Sequence, residues 1–112
     1  AGSTRLKAGT ATKMALNIIS TSVMIKLGKV YSNRMIDLSV SNDKLMDRAI
    51  GILFDIASVD KETAVQLLKK TNGSVKLSLL MALSGIDAID AKQLLHDSND
   101  NLRTALIKVK YH

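Results

Sequence analysis

The residues best suited to chemistry crowd the start of this 112-residue chain. Gly2-Ser3-Thr4-Arg5-Leu6-Lys7-Ala8-Gly9-Thr10-Ala11-Thr12-Lys13 carries two glycines, four hydroxyls and three positive charges. Such a stretch reads as a phosphate-handling turn that opens a helix. Thr10 or Thr12 would cap that helix, and a helix N-terminus with free N–H groups is a ready anion site. Lys7, Thr10 and Lys13 are the candidate ligand-side residues. Two readings stand for Lys7 and Thr10: closeness to a bound anion, or a capping role alone. Lys13, one turn further in, is otherwise a solvated charge. The chain opens inside this turn, so it reads as a piece of a larger protein with part of any active site elsewhere.

Charge supports the emphasis on the first half. The net charge is +6. Residues 1–50 hold eight Lys/Arg against three Asp, and residues 51–112 hold eight Lys/Arg against seven Asp/Glu. A basic half suits a phosphorylated ligand or nucleic acid, or is a solvated basic face. One Phe and two Tyr are too few to stack bases, which argues against nucleic acid. The chain has no cysteine, which excludes disulfides and thiolate metal sites. The most apolar run, Met14 to Leu27, is too short to span a bilayer and contains Asn17, Ser20, Thr21 and Ser22. His96 and His112 have no second ligand nearby in sequence, and the five methionines read as core filler.

The elements that would position these residues are helical. A first helix is expected from Thr10 to Leu27, with Met14, Ile18, Val23 and Leu27 on one face and Gly28 as its stop. Residues 29–41 lose the helical period and read as an extended arm, with a short strand at Met35 to Leu38. Ser41 or Asn42 then caps a second helix, whose apolar face is Leu45, Ala49, Ile52, Leu53 and Ile56. Beyond it lies an internal repeat of 27 residues. Asp60, Ala64, Gln66, Leu67, Leu68, Asn72 and Leu79 recur as Asp87, Ala91, Gln93, Leu94, Leu95, Asn99 and Leu106. Each unit reads as a capped helix, an Asn-containing turn and a second helix. Asp60 and Asp87 are the expected caps of the first helices, and Ser74 and Asn99 or Asp100 those of the second. Gly85 separates the units. The fold class expected is all-α: a long N-terminal helix and extended arm over 1–41, then a small helical domain over 42–112.

Two resemblances follow from these residues. The repeat units resemble ubiquitin-associated-type helical domains in their capped Leu-Leu helix, Asn turn and Ala/Leu-rich helix. The surface loop that binds ubiquitin in that family has no counterpart here, so ubiquitin binding is not implied. The first half resembles a more specific family. After 2–13 come Leu16-Asn17, Ile19-Ser20-Thr21, Met24 to Tyr31, Asn33, Met35, Asp37 and Asn42-Asp43-Lys44-Leu45, an order similar to the closing part of the N-acetylmuramic acid 6-phosphate etherases. The glucokinase regulatory protein is similar in architecture. Ser32 and Arg34 depart from the etherase pattern.

The resemblance implies a parent enzyme in the bacterial cytoplasm. It would cleave the lactyl ether of its phosphorylated amino sugar to N-acetylglucosamine 6-phosphate and D-lactate in cell-wall recycling. It implies acid–base chemistry without metal or cofactor, with catalytic carboxylates upstream of Ala1. No residue of this chain is then assigned a catalytic role. Asp37, the nearest acid in the arm, reads as structural. A homo-oligomer with no membrane attachment is expected. The rival reading is a stand-alone helical module that binds protein or nucleic acid, or a sugar-phosphate sensor of the glucokinase regulator type.

Overall fold

In α5, spanning Val75–Ser84, a run of apolar residues with no polar face dictates the architecture. Val75, Lys76, Ser78, Leu79, Leu80, Met81 and Ser84 are all buried. A helix that is apolar all round has to sit inside the core, and here it packs against four neighbours: α3, α4, α6 and α7. The computed structural model describes residues 21–31 and 33–110. In chain order these form α1 (Thr21–Ile25), a π-helical turn (Lys26–Val30), α2 (Asn33–Ile36), α3 (Asp43–Ala57), α4 (Lys61–Lys70), α5, α6 (Ala88–Asp97) and α7 (Leu102–Lys110). The fold is all-helical. Among the described residues the isolated β-type pairing is a single bridge, Ser39 to Ser74.

The caps fall largely where side-chain chemistry puts them. Asn42 accepts from the Leu45 N–H at the start of α3, Asp60 from Thr63 in α4, Ser74 from Leu77 in α5 and Asp87 from Asp90 in α6. The cap of α7 is neither Asn99 nor Asp100. Asn101 takes it, accepting from the Thr104 N–H at 2.9 Å. The repeat itself accounts for this correction, because residue 101 stands 27 after Ser74.

The 27-residue register holds throughout. Helix α6 begins and ends 27 residues after α4, and α7 begins 27 after α5. Buried Ala64, Leu68, Val75 and Leu79 return as buried Ala91, Leu95, Leu102 and Leu106, while Leu67 and Leu94 are both half-buried against the core. The register also reaches back into α3. Ser58, the left-handed cap of α3, stands 27 before Gly85, the left-handed cap of α5. Buried Ile52 and Leu53 then match buried Leu79 and Leu80. Helices α3, α5 and α7 are therefore three copies of one element, and α4 and α6 two copies of another. The burial does not match everywhere: Gly51 and Phe54 are exposed where Ser78 and Met81 are buried. Gly51 is exposed in mid-helix, a placement that costs about 1 kcal/mol relative to Ala.

Two expectations for the N-terminal segment fail. Gly28 does not stop the first helix. The chain winds on through Gly28 to Val30 as a π turn, closed by the Tyr31 N–H on the Lys26 carbonyl. A Cβ on Gly28 would stand 3.1 Å from a terminal guanidinium nitrogen of Arg103, the movable end of an exposed side chain. Residues 29–41 are not a uniformly extended arm, and Met35 and Ile36 are not strand. Asn33–Ile36 makes a helical turn that sinks Ile36 into the core, 1% exposed, and leaves Met35 outside. A four-residue turn has little stability of its own, so burial of Ile36 decides its shape. The part of the expected first helix before Thr21 lies outside the described residues.

Candidate functional site

Lys7, Thr10 and Lys13 lie outside the described residues, as does the whole basic turn around them. The described residues gather a different charged group, around Lys76. Ser74 caps α5, and the first turn of that helix carries Lys76 into the interior, its side chain 4% exposed. Its ammonium donates to the Asp100 carbonyl at 2.8 Å and to Asp100 Oδ2 at 3.2 Å. It also pairs with Asp37 Oδ1 at 3.0 Å. A buried ammonium is costly unless paired and hydrogen-bonded, and here carboxylates from two distant loops do both. Asp37 follows α2, and Asp100 lies in the turn between α6 and α7.

The linker after Asp37 is fastened to the same place. Val40 N–H donates to the Gly73 carbonyl at 3.0 Å, and Val75 N–H to the Leu38 carbonyl at 3.3 Å. Gly73 has a φ of +86°, and a Cβ on it would meet the Val40 backbone at 3.1 and 3.2 Å. Beside Lys76 opens a cleft of about 460 Å³, with Asp37, Lys92, His96, Asn99 and Asp100 on its wall. Both carboxylates of this group are held by one ammonium, so the arrangement ties the linker and the α6–α7 turn to α5. Asp37 thus ties the linker to α5 through Lys76. His96 lies in the last turn of α6 and borders the cleft. His112 lies outside the described residues.

A second polar group holds the π turn to α3. Lys26 donates to Asp55 Oδ1 at 2.8 Å and to the Asp55 carbonyl at 3.1 Å. The bonds from Lys26 and then from the Tyr31 hydroxyl keep the Asp55 carboxyl below the usual carboxylate range. The same bond to Asp55, with partial burial and the nearby negative charge, raises the Tyr31 hydroxyl above its ordinary value. Alongside, Thr21, Met24, Ile25, Gly28 and Arg103 border a smaller cleft of about 320 Å³.

Sequence reasoning missed Lys76. A lysine in the first turn of a helix ordinarily reads as a solvated charge, and its partners lie 39 residues before it and 24 after. The sequence held one usable signal: Lys76 is the single charged residue in the run Val75 to Leu83, which is apolar apart from it and Ser78.

Comparison with known proteins adds what the geometry leaves open. Residues 32–75 match the family of the C-terminal lid domain of glucokinase regulatory protein. An N-acetylmuramic acid 6-phosphate etherase of Prochlorococcus marinus (strain NATL1A) is 88% identical over 110 residues, covering 98% of this chain and 36% of the relative. The protein of that name from Picosynechococcus sp. (strain ATCC 27264 / PCC 7002 / PR-6) is 59% identical over 106 residues, covering 95% of this chain and 35% of the relative. That from Nostoc punctiforme (strain ATCC 29133 / PCC 73102) is 52% identical over 112 residues, covering 100% of this chain and 36% of the relative. The chain thus spans about a third of the length of the curated relatives it matches. Over that third, through the helical repeat as well as the basic turn, it belongs to the N-acetylmuramic acid 6-phosphate etherase family.

Proposed function

We propose that this chain is the C-terminal helical part of a cytoplasmic N-acetylmuramic acid 6-phosphate etherase. The whole protein would cleave the lactyl ether of its phosphorylated amino sugar, giving N-acetylglucosamine 6-phosphate and D-lactate. The observation that carries this reading is identity of 52% to 88%, over nearly the whole chain, to proteins of that name. Residues 1–41 would close the phosphosugar-binding part of the enzyme. Residues 42–112 would form a small helical domain of ubiquitin-associated-like hairpins, with Leu27 and Ile36 of the preceding segment packed into its core. The match over 32–75 to a lid domain suits a role in covering a sugar phosphate.

Lys7 and Thr10 would stand near the bound anion, with Lys13 one turn behind. A charge-assisted bond from such a lysine contributes roughly 1.5–3 kcal/mol. The groups that perform elimination and water addition would come from the portion of the relatives that has no counterpart here. The intact protein would need no cofactor and would be a homo-oligomer.

A chimera tests the proposal: the NATL1A relative with its matching 110 residues exchanged for this chain. The chimera should release D-lactate from N-acetylmuramic acid 6-phosphate within about tenfold of the parent. The isolated chain should release none, since general acid–base groups contribute about 10²–10⁴-fold. A folded chimera that binds the sugar phosphate without turning it over, beside an active parent, would overturn the etherase reading in favour of a regulator-type sensor.

A further inference from the structure

Resting on the etherase reading, we propose that the outer face of α3, centred on Gly51 and Phe54, is the surface on which the rest of the intact enzyme packs. The 27-residue register shows what that face lacks. Gly51 corresponds to Ser78 in α5 and Ala105 in α7, both fully buried, and Phe54 corresponds to Met81 in α5, 9% exposed, and to exposed Lys108 in α7. In α5 this face is covered by the preceding part of the array: the Ser78 hydroxyl meets the Thr71 hydroxyl, just past the end of α4, at 2.9 Å. Twenty-seven residues before α4 lie residues 34–43. They hold the end of α2 and a linker that runs instead to Gly73 and Val75. Among the described residues, therefore, the face of α3 has the form of a covered face and no cover.

Two side-chain facts point the same way. Phe54, the single Phe of the chain, is 65% exposed. Gly51 weakens a helix interior although a Cβ there would meet nothing within 4 Å, so nothing within the described chain calls for a glycine. A glycine one turn from an exposed aromatic lets another backbone approach closely while the ring is buried. The occupant follows from length. The chain covers 36% of the NATL1A relative, and the other two-thirds of such a protein must meet this third across some surface.

The absence of cysteine allows a direct test. Single variants Gly51→Cys and Phe54→Cys, with Glu62→Cys on exposed α4 as reference, are made in the isolated chain and in the chimera. Maleimide labelling at each site is followed by mass spectrometry, with helical content checked by circular dichroism. Labelling at 51 and 54 should slow at least tenfold in the chimera and stay fast in the isolated chain, while position 62 labels alike in both. Equal labelling at 51 and 54 in a chimera that releases D-lactate would overturn the docking proposal and leave the etherase reading standing. Protection in the isolated chain that grows with concentration would overturn it in favour of a second copy. Protection in a chimera without turnover would support the docking face while counting against the activity.

Discussion

The turn 71–74 and the turn 98–101 follow one backbone path and are built from different chemistry. Thr71 and Ser98 both bend back to bond a carbonyl one turn earlier, Leu67 and Leu94 respectively. Asn72 and Asn99 then take nearly the same left-handed conformation, with φ of 60° and 58°. At the next position the units part. Gly73 adopts its positive φ freely and leaves room for the Val40 backbone. Asp100, at a φ of 61°, holds a conformation unfavourable for a residue with a Cβ, and its carbonyl and carboxylate secure Lys76. One turn is shaped by what must fit beside it, the other by what its side chain must reach. A repeat thus preserves a path while each copy finds its own reason to keep it.

The largest effect expected from probing this pair is in the shared core. Leu68→Ala and Leu95→Ala should each cost about 3–4 kcal/mol in denaturant unfolding, as for other buried leucines. Their losses should agree within about 1 kcal/mol, since both leucines are buried at the same register position. A large gap between them would break the equivalence.

Exchanging the turn residues comes next. Gly73→Asp copies the second turn into the first and should cost about 2–3 kcal/mol, from left-handed strain and crowding against Val40. Loss of protection at the Val40 amide in hydrogen exchange would locate the damage. A neutral result would show that the two turns are interchangeable.

Lys76 sharpens the contrast further. The double variant Asp37→Ala/Asp100→Ala strips a buried ammonium of both carboxylates and should cost about 2 kcal/mol, a figure reduced because both acids are mostly solvated. Lys76→Met removes the charge itself and should be close to neutral. Equal losses from the two would refute a burden carried by the lysine.

The smallest effect separates the caps by pH. Asn101→Ala should cost about 1 kcal/mol at any pH between 3 and 7. Asp60 differs, because the Thr63 N–H bond lowers its carboxyl below the ordinary 3.8. Its contribution is complete above that value and lost as pH falls through the lowered one. The stability difference between Asp60→Ala and the parent should therefore shrink below about pH 4, while that of Asn101→Ala persists. Asp55, also lowered, should weaken the hold of Lys26 in the same acidic range.

Much of this was legible in the sequence, and the rest hid for identifiable reasons. The repeat showed itself because Asp60, Leu67, Leu68 and Asn72 recur as the same residue types. The third copy of the inner helix did not. Ile52 and Leu53 share with Leu79 and Leu80 only their apolar character, which any amphipathic helix would show. The π turn at Lys26–Val30 is tied to α3 through Lys26 and Asp55, 29 residues apart, which a local reading of Gly28 as a stop could not see. Ile36 was placed in a strand because four residues carry no period. Lys7, Thr10 and Lys13 rest on their pattern and on the family alone.

The common register also bears on how such a chain can change in length over evolution. Each inner helix stands where the next outer helix expects it, at intervals of 27. An insertion or loss of one whole interval at Gly85 would return every apolar position to its place and merely lengthen or shorten the stack. A single residue added inside α5 would rotate each later side chain by about 100° around the axis, turning Leu79 and Leu80 from their neighbours. Variation among descendants should therefore come in whole units or stay in the turns between them.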